Sequence, residues 1–275
     1  VAGAVVYAVL RIRRGPEGVR VTRRELLASA AVGTALLLGG NGLVMVAEQS
    51  VPSALAALII ASVPLWVVVL RTLSGERVDR GTLVGVAVGF VGVAILVMPG
   101  GTDGARLAGM LTLIGAALSW ATGSFYSKRL SLPSDPFLST AVQQLAGGVV
   151  VMTFGLGTGE LSGFQMSDVS LASALGLAYL IVFGSLLAFT AYTWVLQNAP
   201  ISQVATYAYV NPVVAIFLGW LILSEEISAS ILVGAAVIVA SVAFIVRKEA
   251  APPSLEDVAE AASGPPGAVL EPSRP

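Results

Sequence analysis

The sequence predicts an all-α integral membrane protein made of two helical repeats inserted in opposite orientations. Three observations predict it. The composition is too apolar for water, uncharged stretches of membrane-crossing length follow one another, and the chain resembles itself at an offset of 148 residues with opposite loop charge in the two copies.

Of 275 residues, 56% are hydrophobic and 11% charged, and 15 Lys+Arg against 16 Asp+Glu leave a net charge of −1. A soluble domain carries roughly a quarter charged residues, so a soluble enzyme or nucleic-acid binder is excluded. The mean hydropathy of +0.89 agrees. Cysteine and histidine are both absent, which removes disulfides, thiolate sites and the commonest general base and metal ligand. Neither a cofactor nor a metal is expected.

A helix needs about 20 apolar residues to cross the hydrocarbon core. The intervals between charges are Leu26–Ala47, Gln49–Leu70 and Gly81–Thr102 at 22 residues each, Leu107–Ser127 at 21, Pro136–Gly159 at 24 and Ile227–Val246 at 20. Val169–Ser224 holds no charge over 56 residues. A single helix of that length would reach ~84 Å, so it turns back, at the polar, proline-ended Gln197–Pro200. Eight complete spans result. Val1–Leu10 is apolar but short and runs into Arg11, Arg13 and Arg14, so it reads as the tail of a helix begun upstream. Glu249–Pro275, rich in Pro, Ala, Ser, Glu and Gly, reads as a disordered tail.

Lys and Arg collect in cytoplasmic loops. Placing the loop after Leu10 in the cytoplasm puts fourteen of the fifteen bases on that side and Arg106 alone on the other. A multi-pass protein of the inner membrane with a cytoplasmic C-terminal tail is expected.

At an offset of 148, Gln49 meets Gln197, Pro52 meets Pro200, Ala57 meets Ala205 and Pro64 meets Pro212. One residue further on, Glu76 meets Glu225, Leu83 meets Leu232, Gly85 meets Gly234 and Val93 meets Val242. The loop Ser74–Arg80 carries arginines, whereas its counterpart Ser224–Ser230 carries only glutamates. The same unit therefore sits both ways up, the architecture of secondary transporters with a site near the midplane. Extended backwards, the offset sets Val1 opposite Val149. The expected whole is a ten-helix fold of two inverted five-helix repeats, with the first helix and part of the second missing here. The repeats divide as 1–100 and 101–248, followed by the tail 249–275.

The order and spacing of several short motifs resemble the EamA-like type of the drug/metabolite transporter superfamily. They are Asn41-Gly42-Leu43, Ala47–Ala57 running to Pro64-Leu65, the loop at Gly75-Glu76-Arg77 and the glycine-spaced Gly81, Gly85 and Gly89. The second repeat adds Ala116–Gly123 with Lys128-Arg129, the loop Gln197–Val204, Asn211-Pro212, Glu225-Glu226 and Gly234. The resemblance covers roughly 1–248 and implies export or exchange of small metabolites by alternating access without ATP. Its implied partners are the bilayer and a small-molecule solute, with a homodimer as one form of assembly and no nucleic acid.

Candidate site residues are uncharged. Pro64 and Pro212 hold matching positions inside spans, with Ser62 and Asn211 beside them; a proline frees a carbonyl that a cavity or a neighbour must satisfy. Thr112, Ser119, Thr122 and Tyr126 form one polar stripe bordered by Trp120. Ser202, Thr206 and Tyr209 form a second, and Ser185 with Tyr192 a third. Such stripes either join helices or face a wet cavity. Asn41, Gln143 and Gln144 are amides inside spans, open to the same two roles. Gly81, Gly85 and Gly89 make a close-packing face.

No Asp, Glu, Lys or Arg lies deep inside a complete span, where ionisable groups usually mark ion pathways. A neutral or zwitterionic solute, amino-acid-like or drug-like, fits this best. The alternatives are a proton-coupled cation exporter of the small multidrug resistance type and, in another class, a glutamate-type intramembrane peptidase using Glu225-Glu226. Adjacent glutamates do not face one another on a helix, so no enzyme is expected.

Overall fold

Lipid offers backbone groups no partner, so a chain this apolar pairs them internally as helices. The computed structural model describes residues 1–97, 104–159, 162, 165, 167, 169–200, 204, 207–224 and 228–250. Its helices are α1 (Ala2–Arg14), α2 (Arg23–Ala47), α3 (Ser53–Ile60), α4 (Val63–Leu73), α5 (Arg80–Val97), α6 (Gly104–Ser127), α7 (Pro136–Gly157), α8 (Leu171–Asn198), α9 (Tyr207–Leu223) and α10 (Ala229–Ala250). Among the described residues seven helical stretches are long and apolar enough to cross a membrane, Ser53–Leu73 counting α3 and α4 together. The expected span after Pro200 falls partly outside the described residues; its described part, α9, has 17 residues. Residues 251–275 of the expected tail lie outside them altogether.

Local chemistry sets the helix ends. Thr22 and Glu25 form a reciprocal capping box at the start of α2. Asp135 accepts the Leu138 N–H at 2.8 Å and Pro136 occupies the first turn of α7, where a missing N–H costs nothing. Ser170 caps α8 through the Ser173 N–H. The predicted break after α8 is present: Asn198 is its last residue and Ala199 is extended.

Two spans depart from regular α-helix in the same way. Thr34–Gly42 of α2 and Leu180–Phe189 of α8 are wound as π-helix. An offset of 148 carries 34–42 onto 182–190, which overlaps the second π segment. The span expected as Gln49–Leu70 is two helices, because Pro64 cannot continue a ladder from the turn before it. Its chain breaks at Ala61-Ser62 and restarts, with the Ile59 carbonyl accepting both the Ser62 N–H at 3.0 Å and the Ser62 hydroxyl at 2.6 Å. Pro212, the repeat counterpart, lies within continuous α9. The proline pair is therefore not a matched pair of breaks.

Small residues let the helices close on one another. α7 packs on α1 and α2, while α6 packs on α2, α3 and α4. A Cβ on Gly147 would stand 2.7 Å from the Gly33 carbonyl oxygen, and one on Gly33 would strike the Gln143 carbonyl. α5 pairs with α10 through Gly85 against Ile245 and Gly92 against Ile238, and Gly89 receives Leu65 of α4. The packing role expected of the glycine face is what the structure gives it. Leu58, Ile59, Leu65, Met110, Leu113 and Ile238 fill the main core between these helices.

Ionic ties gather at one end of the bundle. Arg14 pairs with Asp135 at 2.9 Å, Glu76 with Arg71 at 2.8 Å and also with Arg129, Lys248 with Asp79, and the Lys128 ammonium reaches the Ala199 carbonyl. The basic loops thus meet on one face, as the charge asymmetry predicts.

Gly33→Val should force α2 from α7 and abolish the monodisperse peak in detergent size-exclusion chromatography. Gly148→Ala, one residue from Gly147 but facing open space, should leave that peak intact.

Candidate functional site

Three polar side chains close on one another where α6 meets α8. The Trp120 indole N–H donates to the Tyr192 hydroxyl at 3.0 Å, their rings 5.3 Å apart and tilted by 50°. The Tyr192 hydroxyl also lies 2.6 Å from the Ser124 hydroxyl, which reaches the Trp120 carbonyl at 2.7 Å. Trp120 stands seven residues before the end of α6 and Tyr192 six before the end of α8, so at about 1.5 Å per residue both lie roughly 10 Å inside the basic face. The cluster is nearer that face than the midplane.

The π segments supply its floor. Gly40 lies flat against the Trp120 ring: a Cβ there would come within 2.6 Å of it. One residue away, Gly39 lies under Ser119, whose hydroxyl donates to the Ala35 carbonyl at 2.9 Å. At the second π segment the Gln144 amide of α7 donates to the Ser185 carbonyl of α8 at 2.8 Å. A π turn bonds i→i+5 in place of i→i+4, and in each π segment a side chain from a neighbouring helix also bonds one carbonyl. Thr140 of α7 and Thr193 of α8 join their hydroxyls beside this seam.

Outside the cluster, the basic end is held by charge. The Arg71 guanidinium, followed by Arg129, holds the Glu76 carboxyl below its ordinary value. Arg129 also lies over the Phe125 ring at 3.6 Å, which fixes its head next to α6. Burial pushes the Lys128 ammonium down, and the Ala199 carbonyl is its partner.

The predicted residues fall into groups. Trp120 and Tyr192 come together; the neighbouring Ser119 bonds instead to Ala35 of α2, and Ser185 is tied through its backbone carbonyl to Gln144 of α7. Ser62 and Pro64 are buried, and the Ser62 hydroxyl is spent on its own chain. Thr112 and Thr122 likewise return their hydroxyls to Ala108 and Leu118. Asn41 and Asn211 are exposed, as is Tyr126 at 42%. Thr206 lies outside the described residues; Tyr209 and Pro212 are placed in α9 by their backbone alone. Gln144 is an interhelical clamp, and Gln143 bonds to Ser139 within α7.

Sequence reasoning missed Ser124, Trp66 and the Glu76–Arg129 tie. Ser124 sits one turn past Trp120, a spacing that could have found it. Trp66 packs edge-on to Phe90 at 4.8 Å, against the same Ala117–Ala121 surface as Trp120. Among the described residues its buried indole N–H has no partner.

The EamA-like transporter family matches residues 1–98 and 107–247. The chain is 40% identical over 198 residues to "Uncharacterized inner membrane transporter YedA" of Escherichia coli, an alignment covering 71% of this chain and 63% of that protein. It is 28% identical over 212 residues to "Uncharacterized transporter YvbV" of Bacillus subtilis, covering 76% and 68%. A chloroplastic WAT1-related protein of Arabidopsis thaliana is 26% identical over 248 residues, covering 88% and 58%. The chain thus spans under two thirds of the YedA sequence. A solved crystal structure shares the fold at a TM-score of 0.62 and 20% identity, covering 91% of this chain and 86% of that one.

Tyr192→Phe should strand the Trp120 indole N–H and cost about 1–3 kcal/mol, read as a lower thermal midpoint with altered tryptophan emission. The Glu76 carboxyl is depressed in the folded state, so its contribution is complete above the ordinary value of 4.5 and is lost as pH falls through the folded value. Wild type should therefore lose about 1–2 °C more midpoint on acidification than Glu76→Gln, the small effect of a partly exposed tie.

Proposed function

Because the chain belongs to the EamA-like transporter family, whose members are transporters and not enzymes, we propose that it acts as a secondary transporter of small neutral or zwitterionic metabolites. It works by alternating access, as half of an exchange between two inverted five-helix repeats in a ten-helix whole. The observation that carries this reading is the pair of π segments, 34–42 and 180–189, each tied to a neighbouring helix through a backbone carbonyl. π turns concentrate at functional sites, and a repeated one gives each half the same adjustable joint.

The state described is closed at the basic end. Trp120, Tyr192 and Ser124 bond to one another there, and Glu76–Arg129 and Lys128–Ala199 lie outside them. Opening that end requires the three side chains to exchange these bonds for bonds to water or solute. A neutral or zwitterionic solute fits because the polar groups assembled are hydroxyls, amides and indoles. With no fixed charge among them, no buried counter-charge has to be met.

Uptake or efflux in reconstituted vesicles tests the proposal. Trp120→Ala should lower flux about tenfold, what losing about 1.4 kcal/mol of bound-state interaction gives, and Pro212→Ala should lower it too, while both proteins remain folded in the membrane. Normal flux in both variants overturns it. Reporter fusions near Arg77 and Glu225 should report opposite compartments; the same compartment removes the inverted repeat.

A further inference from the structure

An open groove of about 620 Å³ runs between α1, the loop that follows it and α7. Its walls change character with depth. Arg11, in the last turn of α1, and Arg20, in the loop, line the mouth. Val142, Leu145 and Val149, on one face of α7, line the interior with Tyr7 of α1. α7 starts at Pro136, so this apolar face runs from about 9 to about 20 Å below the basic end. Val149 is 65% exposed and Leu145 37%. A charged mouth at the membrane–water boundary above an apolar channel of that length has the profile of one lipid molecule.

The mouth is also electrostatically unfilled. Among the described residues no carboxylate pairs with Arg11, nor with Arg13, Arg23 or Arg24 nearby. Arg20 pairs with Glu17 at 2.6 Å, but both side chains are more than 70% exposed, at 75% and 72%, so solvent screens that pair and a stronger anion displaces it. Two guanidinium forks facing one groove match phosphate oxygens, and basic pockets between membrane helices hold anionic headgroups.

We propose that this groove is a binding site for a phospholipid with an anionic headgroup. The headgroup phosphate lies between Arg11 and Arg20, and one acyl chain follows Val142, Leu145 and Val149. A lipid with a choline headgroup brings its own cation to the same place and binds more weakly.

Native mass spectrometry of the full chain, purified in neutral detergent and given equal amounts of phosphatidylglycerol and phosphatidylcholine with identical acyl chains, tests this. One phosphatidylglycerol should be retained in preference. Arg11→Ala/Arg20→Ala should lower its retention about tenfold, lower that of phosphatidylcholine less, and so remove the preference between the two. Val149→Trp, which fills the channel without touching the charges, should lower it as well. Arg13→Ala/Arg24→Ala, outside the groove, should not. Equal retention of the two lipids, or equal loss in both arginine pairs, overturns the site as a specific one. Displacement of the lipid by glycerol 3-phosphate overturns the lipid as occupant and leaves a soluble phosphate ligand.

Discussion

A backbone carbonyl inside hydrocarbon finds no water, and that constraint bears on each irregular span among the described residues. Among the described residues three segments leave the α-helical ladder within spans, and a side chain bonds a carbonyl of each. Ser62 covers the Ile59 carbonyl at the Pro64 break, Ser119 covers Ala35 and Gln144 covers Ser185. The first is local, because the break is answered one turn away on the same strand of chain. The other two cross between helices, tying the π segments of α2 and α8 to α6 and α7.

That coupling is what makes the Trp120 cluster more than a polar contact. Gly39 and Gly40 lie in the π segment of α2 and admit Ser119 and Trp120 at distances no side chain would allow. Movement of α6 away from α2 therefore breaks the Ser119–Ala35 bond and frees Trp120 together. Regular α-helix at 34–42 would rotate the following residues and take the glycines off the contact. Backbone winding, close approach and side-chain bonding form one unit.

Charge is arranged to leave this unit undisturbed. Among the described residues the Trp120 cluster and the groups bonding the π segments are neutral, and the ion pairs of Arg14, Glu76 and Lys248 sit where the loops converge at one end. Partly exposed pairs contribute modestly to stability. They tie together the ends of α1, α4, α6 and α10.

The sequence by itself determined which stretches are long and apolar enough to cross a membrane, which end is basic and where α8 stops. These properties follow from composition, charge intervals and spacing, none of which depends on a neighbour. It also marked Ser119, Trp120 and Tyr192 as polar members of apolar helices, without pairing them. Only the tertiary structure decided that Trp120 bonds to Tyr192 while Thr112 and Thr122 turn back on their own helix, because a hydroxyl chooses between its own backbone and an adjacent helix according to which is within reach. The π segments were equally hidden: an i→i+5 and an i→i+4 helix use the same residues, and the difference is settled by what the displaced carbonyl can reach.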